Sequence, residues 1–130
     1  MVDEWLAEVA SGLSSDQLLD LLEQAVRAVW DSARTCINDV ILCAVLERVV
    51  INARRHFTWL PPLPIADDSI DASALRAHST VGNPSAIYKV VRFIVTEFVS
   101  INGNLTGETL SKTMHRTLAG VRWRKPSSEN

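Results

Sequence analysis

Between Thr35 and Phe57 the chain reads Val40-Ile41-Leu42-Cys43-Ala44-Val45-Leu46 and then Val49-Val50-Ile51, with only Glu47 and Arg48 separating the two apolar runs. At helical spacing such a stretch leaves almost no polar face, and a helix apolar all round has to be wrapped by other elements. Working outward, no Gly or Pro occurs between Leu13 and Leu60, so a helical pattern can continue for about 42 residues, or about 63 Å at 1.5 Å per residue. A compact domain of 130 residues has a radius of gyration of only about 14 Å. The expected solution is a break between Asp31-Ser32 and Thr35, with Ser32 or Thr35 capping a new helix. The alternative is one long helix whose apolar second half is covered by a second copy of the chain.

Composition points the same way. Apolar residues make up 47% of the chain, enough at this size to bury roughly two thirds of the unfolded surface in one core. Leu, Val, Ile and Ala carry that load, and the five Gly and five Pro gather at a few boundaries instead of recurring with the short spacing of a sandwich or barrel. The expected fold is an all-α bundle of about five or six helices, a single domain over residues 1–125. A surface connector at about 58–83 and a disordered tail at 126–130 complete it.

The net charge of −2 hides a gradient. Residues 1–47 hold nine acids against Arg27 and Arg34, a net −7, whereas residues 48–125 hold eleven Lys and Arg against five acids, a net +6. Two halves packed on each other would neutralise this difference internally; a basic face turned to an anionic partner is the other reading. The first residues are acidic where a secretory signal would be basic, and the longest apolar run falls far short of the ~18 residues of a membrane span. A soluble, cytoplasmic protein with no membrane partner is expected. Cys36 and Cys43, seven residues apart on one helix, lie about 10 Å from each other, too far for a disulfide between them. They read as small buried apolar side chains.

Local signals divide the chain. Residues 2–10 form an amphipathic helix with Val2, Trp5, Leu6 and Val9 on one stripe, stopped by Gly12. Ser14 and Gln17 have the spacing of a capping box at the start of the next helix, 15–33. Its far side carries Glu23, Arg27 and Asp31 at i,i+4 spacing and reads as a solvated face. The central segment 35–57 closes on Arg54-Arg55-His56, positive charge where a helix dipole favours it. The prolines of Trp59-Leu60-Pro61-Pro62-Leu63-Pro64 then force an extended spacer, with Trp59, Leu60 and Leu63 packing on the bundle. Ser69 or Asp71 can cap a short surface helix through His78. Asn83-Pro84 is the clearest helix start in the chain, and Ile87, Val90, Val91, Ile94, Val95 and Phe98 run on at 3–4 spacing toward Ile101. Asn102-Gly103-Asn104 reads as the turn into a last helix at 106–120.

No pattern specifies a reaction. The recurring zinc spacings are absent, and His56, His78 and His115 come from three different elements. Gly-x-Ser-x-Gly, phosphate-loop and His-Glu-x-x-His motifs do not occur. Asp39 and Glu47 share roughly one face of the apolar central helix, where a buried carboxylate either acquires a raised pKa or pairs with Arg92 or Lys89. No cofactor or metal is expected. The strongest functional signal is basic residues interleaved with aromatics: Arg54, Arg55, His56 and Trp59, then Lys112, Arg116, Arg122, Trp123, Arg124 and Lys125. Lys and Arg bind phosphates, and flat rings stack on unpaired bases. The helices at 84–101 and 106–120 have the succession of a helix-turn-helix module. A non-enzymatic helical module acting by helix–helix association, with itself as a homo-oligomer or with another protein, is the first functional expectation. A small DNA- or RNA-binding regulator is the second, and a helical enzyme or ligand-binding protein the third.

Overall fold

The computed structural model describes residues 2–10, 12–35, 37–66, 69–76, 84–106 and 116–121. They form an all-α fold with helices α1 (Val2–Val9), α2 (Ser15–Ala33), α3 (Asp39–His56), α4 (Ser73–Arg76) and α5 (Pro84–Thr106). A helical turn at 116–119 follows. The one departure among the described residues is a two-residue antiparallel ladder, β1 (Ile65–Ala66) against β2 (Ser69–Ile70), with Ile65 opposite Ile70.

The helix boundaries follow local chemistry. Gly12 sits at φ +79°, a left-handed conformation that glycine adopts without a Cβ penalty, and it separates α1 from α2. The capping box then forms in full. The Gln17 amide donates to Ser14 Oγ at 3.3 Å, and the Ser14 amide donates to Gln17 Oε1 at 2.9 Å. The long helical pattern breaks within the expected interval, but neither Ser32 nor Thr35 caps the new helix. Arg34 ends α2, and Asn38 caps α3 by accepting the Ile41 amide at 2.9 Å. Asn38 is the better cap because its amide oxygen reaches the third amide of the new helix from an extended backbone. Ile37, between the two helices, turns inward and is buried.

The centre of the molecule is α5. It packs against α1, α2 and α3, whereas α2 and α3 barely meet each other. Ile87, Val90, Val91, Ile94, Val95, Phe98 and Val99 are all buried, an apolar arc wide enough to serve two neighbouring helices. Leu18, Leu22, Val26 and Val29 reach the same core from α2, and Leu42, Leu46, Val49 and Ala53 from α3. Trp5 and Leu6 close it from α1, and the Trp5 indole donates to the Val121 carbonyl at 3.0 Å.

Three expectations are corrected. The central segment is not wrapped on all sides: Val40 is 79% exposed, Ile51 50% and Ile41 46%. The helix over 84–101 does not turn at Asn102-Gly103-Asn104 but runs through them to Thr106. The local cost of an interior Gly, about 1 kcal/mol, is outweighed by packing on either side of the last turn, where Phe98 and Val99 are buried and Ile101 lies against the core. The expected turn at Asn102-Gly103-Asn104 therefore falls, and Asn104-Leu105-Thr106 is the end of α5 instead of a loop. The described part of the 58–83 connector is also less superficial than its composition suggests. Leu60, Leu63, Ile70, Ala72 and Leu75 are buried, and the Ala72 amide donates to Glu23 Oε2 of α2 at 3.0 Å. Trp59 is half-buried against the core, as the spacer reading requires. Residues 107–115 of the expected last helix, the tail 126–130, and Cys36, His78 and His115 lie outside the described residues.

One-sided burial of α3 has a direct consequence for stability. Leu46→Ala is expected to lower the unfolding free energy by about 2–5 kcal/mol as a core truncation. Ile51→Ala is expected to change it by less than about 0.5 kcal/mol in urea titrations at protein concentrations too low for association. Equal losses at the two positions would mean that Ile51 is covered within the monomer.

Candidate functional site

Two features of α3 stand out from the core, one on its outward face and one at its C-terminal end. Along the outward face lie Val40, Ile41, Ala44, Glu47, Arg48 and Ile51, all exposed. Among the described residues, Val40, Ile41 and Ile51 are the exposed large hydrophobic side chains. Their grouping on one side of one helix differs from the scattered single residues normal on any surface. Beside this patch an open cleft of about 760 Å³ is lined by Trp30 and Arg34 of the α2 end and by Asp39, Val40, Cys43, Ala44 and Glu47 of α3.

The α2–α3 corner fixes the shape of that cleft. Trp30 is buried, and its indole nitrogen donates to Asp39 Oδ1 at 3.2 Å. Arg34 reaches Asp39 Oδ2 at 3.4 Å and Asp31 at 3.9 Å. These exposed ion pairs contribute at most about 1 kcal/mol each; their effect is to hold the corner in register. Asp39 is therefore an exposed helix-end carboxylate engaged with Trp30 and Arg34. Glu47 is exposed as well. The expectation that the two stand in an apolar setting or pair with Arg92 or Lys89 is overturned, because the face that bears them points outward. Cys43 is half-buried at the cleft wall, a free thiol.

At the other end of α3, the structure gathers part of the basic and aromatic material. A groove of about 380 Å³ is lined by His56, Phe57, Lys89, Arg92, Phe93, Thr96 and Glu97. The His56 and Phe93 rings are stacked with centroids 5.1 Å apart, and Phe57 meets both edge-on. Trp59 stands edge-on to Phe57 at 6.2 Å. Arg55 is exposed on the same last turn. Arg54 has a structural task, its Nε donating to the Leu60 carbonyl at 3.4 Å and tying the proline-rich spacer to the helix end. Lys89, Arg92 and Phe93 were not among the expected site residues. The signal for them is their 3–4 spacing on α5, but only the fold reveals that this spacing faces His56.

Arg116 is exposed on the 116–119 turn, close in sequence to the Val121 carbonyl that Trp5 holds. Lys112, Arg122, Trp123, Arg124 and Lys125 lie outside the described residues. Among the described residues no group of three or more His, Cys, Asp or Glu is placed to hold a metal ion, and no helix is long and apolar enough to cross a membrane. No protein-family model, curated protein or solved structure matches the chain.

Removing the Asp39 carboxylate tests the corner. Asp39→Ala is expected to cost about 1 kcal/mol through the lost Trp30 hydrogen bond and to alter the Trp30 emission, whereas Asp39→Asn, which keeps an acceptor, retains most of both. Unaltered stability and fluorescence in the Ala variant would show that the indole bond is dispensable.

Proposed function

We propose that this protein is a non-enzymatic helical interaction module that works by helix–helix association through the outward face of α3. The observation that carries this reading is the exposure of Val40, Ile41 and Ile51 on a helix whose opposite face is fully engaged with α5. Apolar surface of this kind gains free energy when covered, at roughly 25 cal/mol per Å² removed from water. Glu47 and Arg48 interrupt the row and supply the polar contacts that orient an association. The α2–α3 corner presents the face without any need for rearrangement.

A second reading, a small DNA- or RNA-binding regulator, rests on the groove at His56, Lys89 and Arg92 with Arg55 beside it. It is the weaker of the two. The groove abuts the carbonyl end of α3, where the helix dipole disfavours an anion, and Glu97 adds a negative charge to its lining.

Photocrosslinking tests the first reading in extracts of the protein's source cells. A photoreactive residue at position 51 or 40 is expected to yield protein adducts, and one at Arg27, exposed on α2, is expected to yield few. Equal yields from both faces would remove the α3 face as the interaction surface. For the second reading, fluorescence anisotropy with labelled single-stranded and duplex DNA across a salt series is decisive. No salt-sensitive binding is expected. Binding that weakens steeply with salt, and is lost in an Arg55→Ala, Lys89→Ala, Arg92→Ala triple variant, would put nucleic acid first.

A further inference from the structure

We infer that the occupant of the α3 face is a second copy of this chain, docked with its own α3 parallel to the first so that Glu47 of each copy meets Arg48 of the other. The inference rests on the reading of α3 as an interaction surface and adds the identity and orientation of the partner.

The geometry follows from helical spacing. At about 100° per residue, Ala44, Ile51 and Val40 fall near the midline of the exposed face. Glu47 lies on one flank and Arg48 on the other. The cleft opens on the Glu47 flank, since Val40, Cys43, Ala44 and Glu47 form its α3 wall. Ile41 lies on the Arg48 flank. The face thus has an acidic, concave side and a basic side carrying a protruding aliphatic residue. Among the described residues, neither Glu47 nor Arg48 has an ion-pair partner in its own chain.

A twofold axis parallel to the helices brings the left flank of one copy against the right flank of the other. Glu47 then faces Arg48 of the second copy in two symmetric pairs, with Val40, Ala44 and Ile51 along the seam. Ile41 of each copy is directed toward the cleft of the other. This is an isologous interface, in which every contact occurs twice. An antiparallel pair centred on the same residues places like flanks together, Glu47 against Glu47 and Arg48 against Arg48, and leaves Ile41 away from both clefts. Charge complementarity and the side on which the cleft opens therefore select the same orientation. Beyond Ile51 the copies present Arg55 to each other, which ends the seam after about three turns. A contact that short lies at the small end of protein interfaces, so exchange between monomer and dimer at ordinary working concentrations is expected.

Sedimentation equilibrium on the intact chain tests this over a wide concentration range. The expected result is a rise from 14.4 kDa toward twice that mass. Glu47→Arg alone and Arg48→Glu alone each set like charges against each other across the seam, and each is expected to remain monomeric with an unchanged helical circular-dichroism signal. An equimolar mixture of the two variants restores both ion pairs and is expected to regain the dimer. A wild-type chain that stays monomeric while position 51 still crosslinks other proteins would overturn the self-pairing and leave the α3 reading standing. A dimer that survives both charge variants and Val40→Asp/Ile51→Asp is formed through another face and would overturn the self-pairing, and the absence of adducts at position 51 would overturn the α3 reading with it.

Discussion

The packing of α5 against α2 and α3 at once is the constraint on which the rest of the structure depends. A helix that serves one neighbour needs a narrow apolar stripe; α5 buries Ile87, Val90, Val91, Ile94, Val95, Phe98 and Val99, an arc broad enough for two. Because α5 lies between them, α2 and α3 are held apart and each keeps an outward side. For α2 that side is polar, and Glu23 on it is recruited to the Ala72 amide, drawing the connector onto the bundle. For α3 it is largely aliphatic.

Features set by neighbours in sequence were legible without the fold. The Ser14–Gln17 box, the Gly12 stop, the proline start of α5 and the packing of Trp59, Leu60 and Leu63 all follow from side chains a few residues apart. What escaped depends on contacts distant in sequence. Asn102-Gly103-Asn104 carries every local mark of a turn, yet the helix runs through it, with Phe98, Val99 and Ile101 packed on the core just before. The apolar runs of α3 misled for a related reason. Hydrophobic side chains on a helix report which faces shun water, and a face covered within the chain looks the same in sequence as one left exposed. The basic triplet Arg54-Arg55-His56 could be read directly, but its division of labour could not. Only the structure shows that Arg54 anchors the spacer while His56 stacks on Phe93.

The α2–α3 corner links the core to the exposed patch. With Ile37 buried and Asn38 capping, α3 departs at a fixed angle, and the Trp30–Asp39 hydrogen bond keeps the start of the helix against the end of α2. The cleft lies at this corner, walled by Trp30 and Arg34 on one side and by Asp39, Val40, Cys43, Ala44 and Glu47 on the other. Its backbone is in place before any contact, so the ordering cost of binding there is confined to exposed side chains such as Arg34 and Glu47.

Energetics constrain what such a face can do. Full burial of a large aliphatic side chain contributes about 1.5–3 kcal/mol, and Val40, Ile41 and Ile51 are already partly covered, so together they offer only a few kcal/mol. Association of two proteins loses at least about 4 kcal/mol of translational and rotational freedom. Counted for one face alone, the aliphatic row comes out near balance, and the apolar surface that the other face contributes decides the sign of the net free energy. A partner that also fills the cleft and neutralises Glu47 and Arg48 gains more than one that matches only the hydrophobic row. On the association proposed above, the two central charges of the α3 face confer selectivity, and its aliphatic residues supply the driving force that those charges direct.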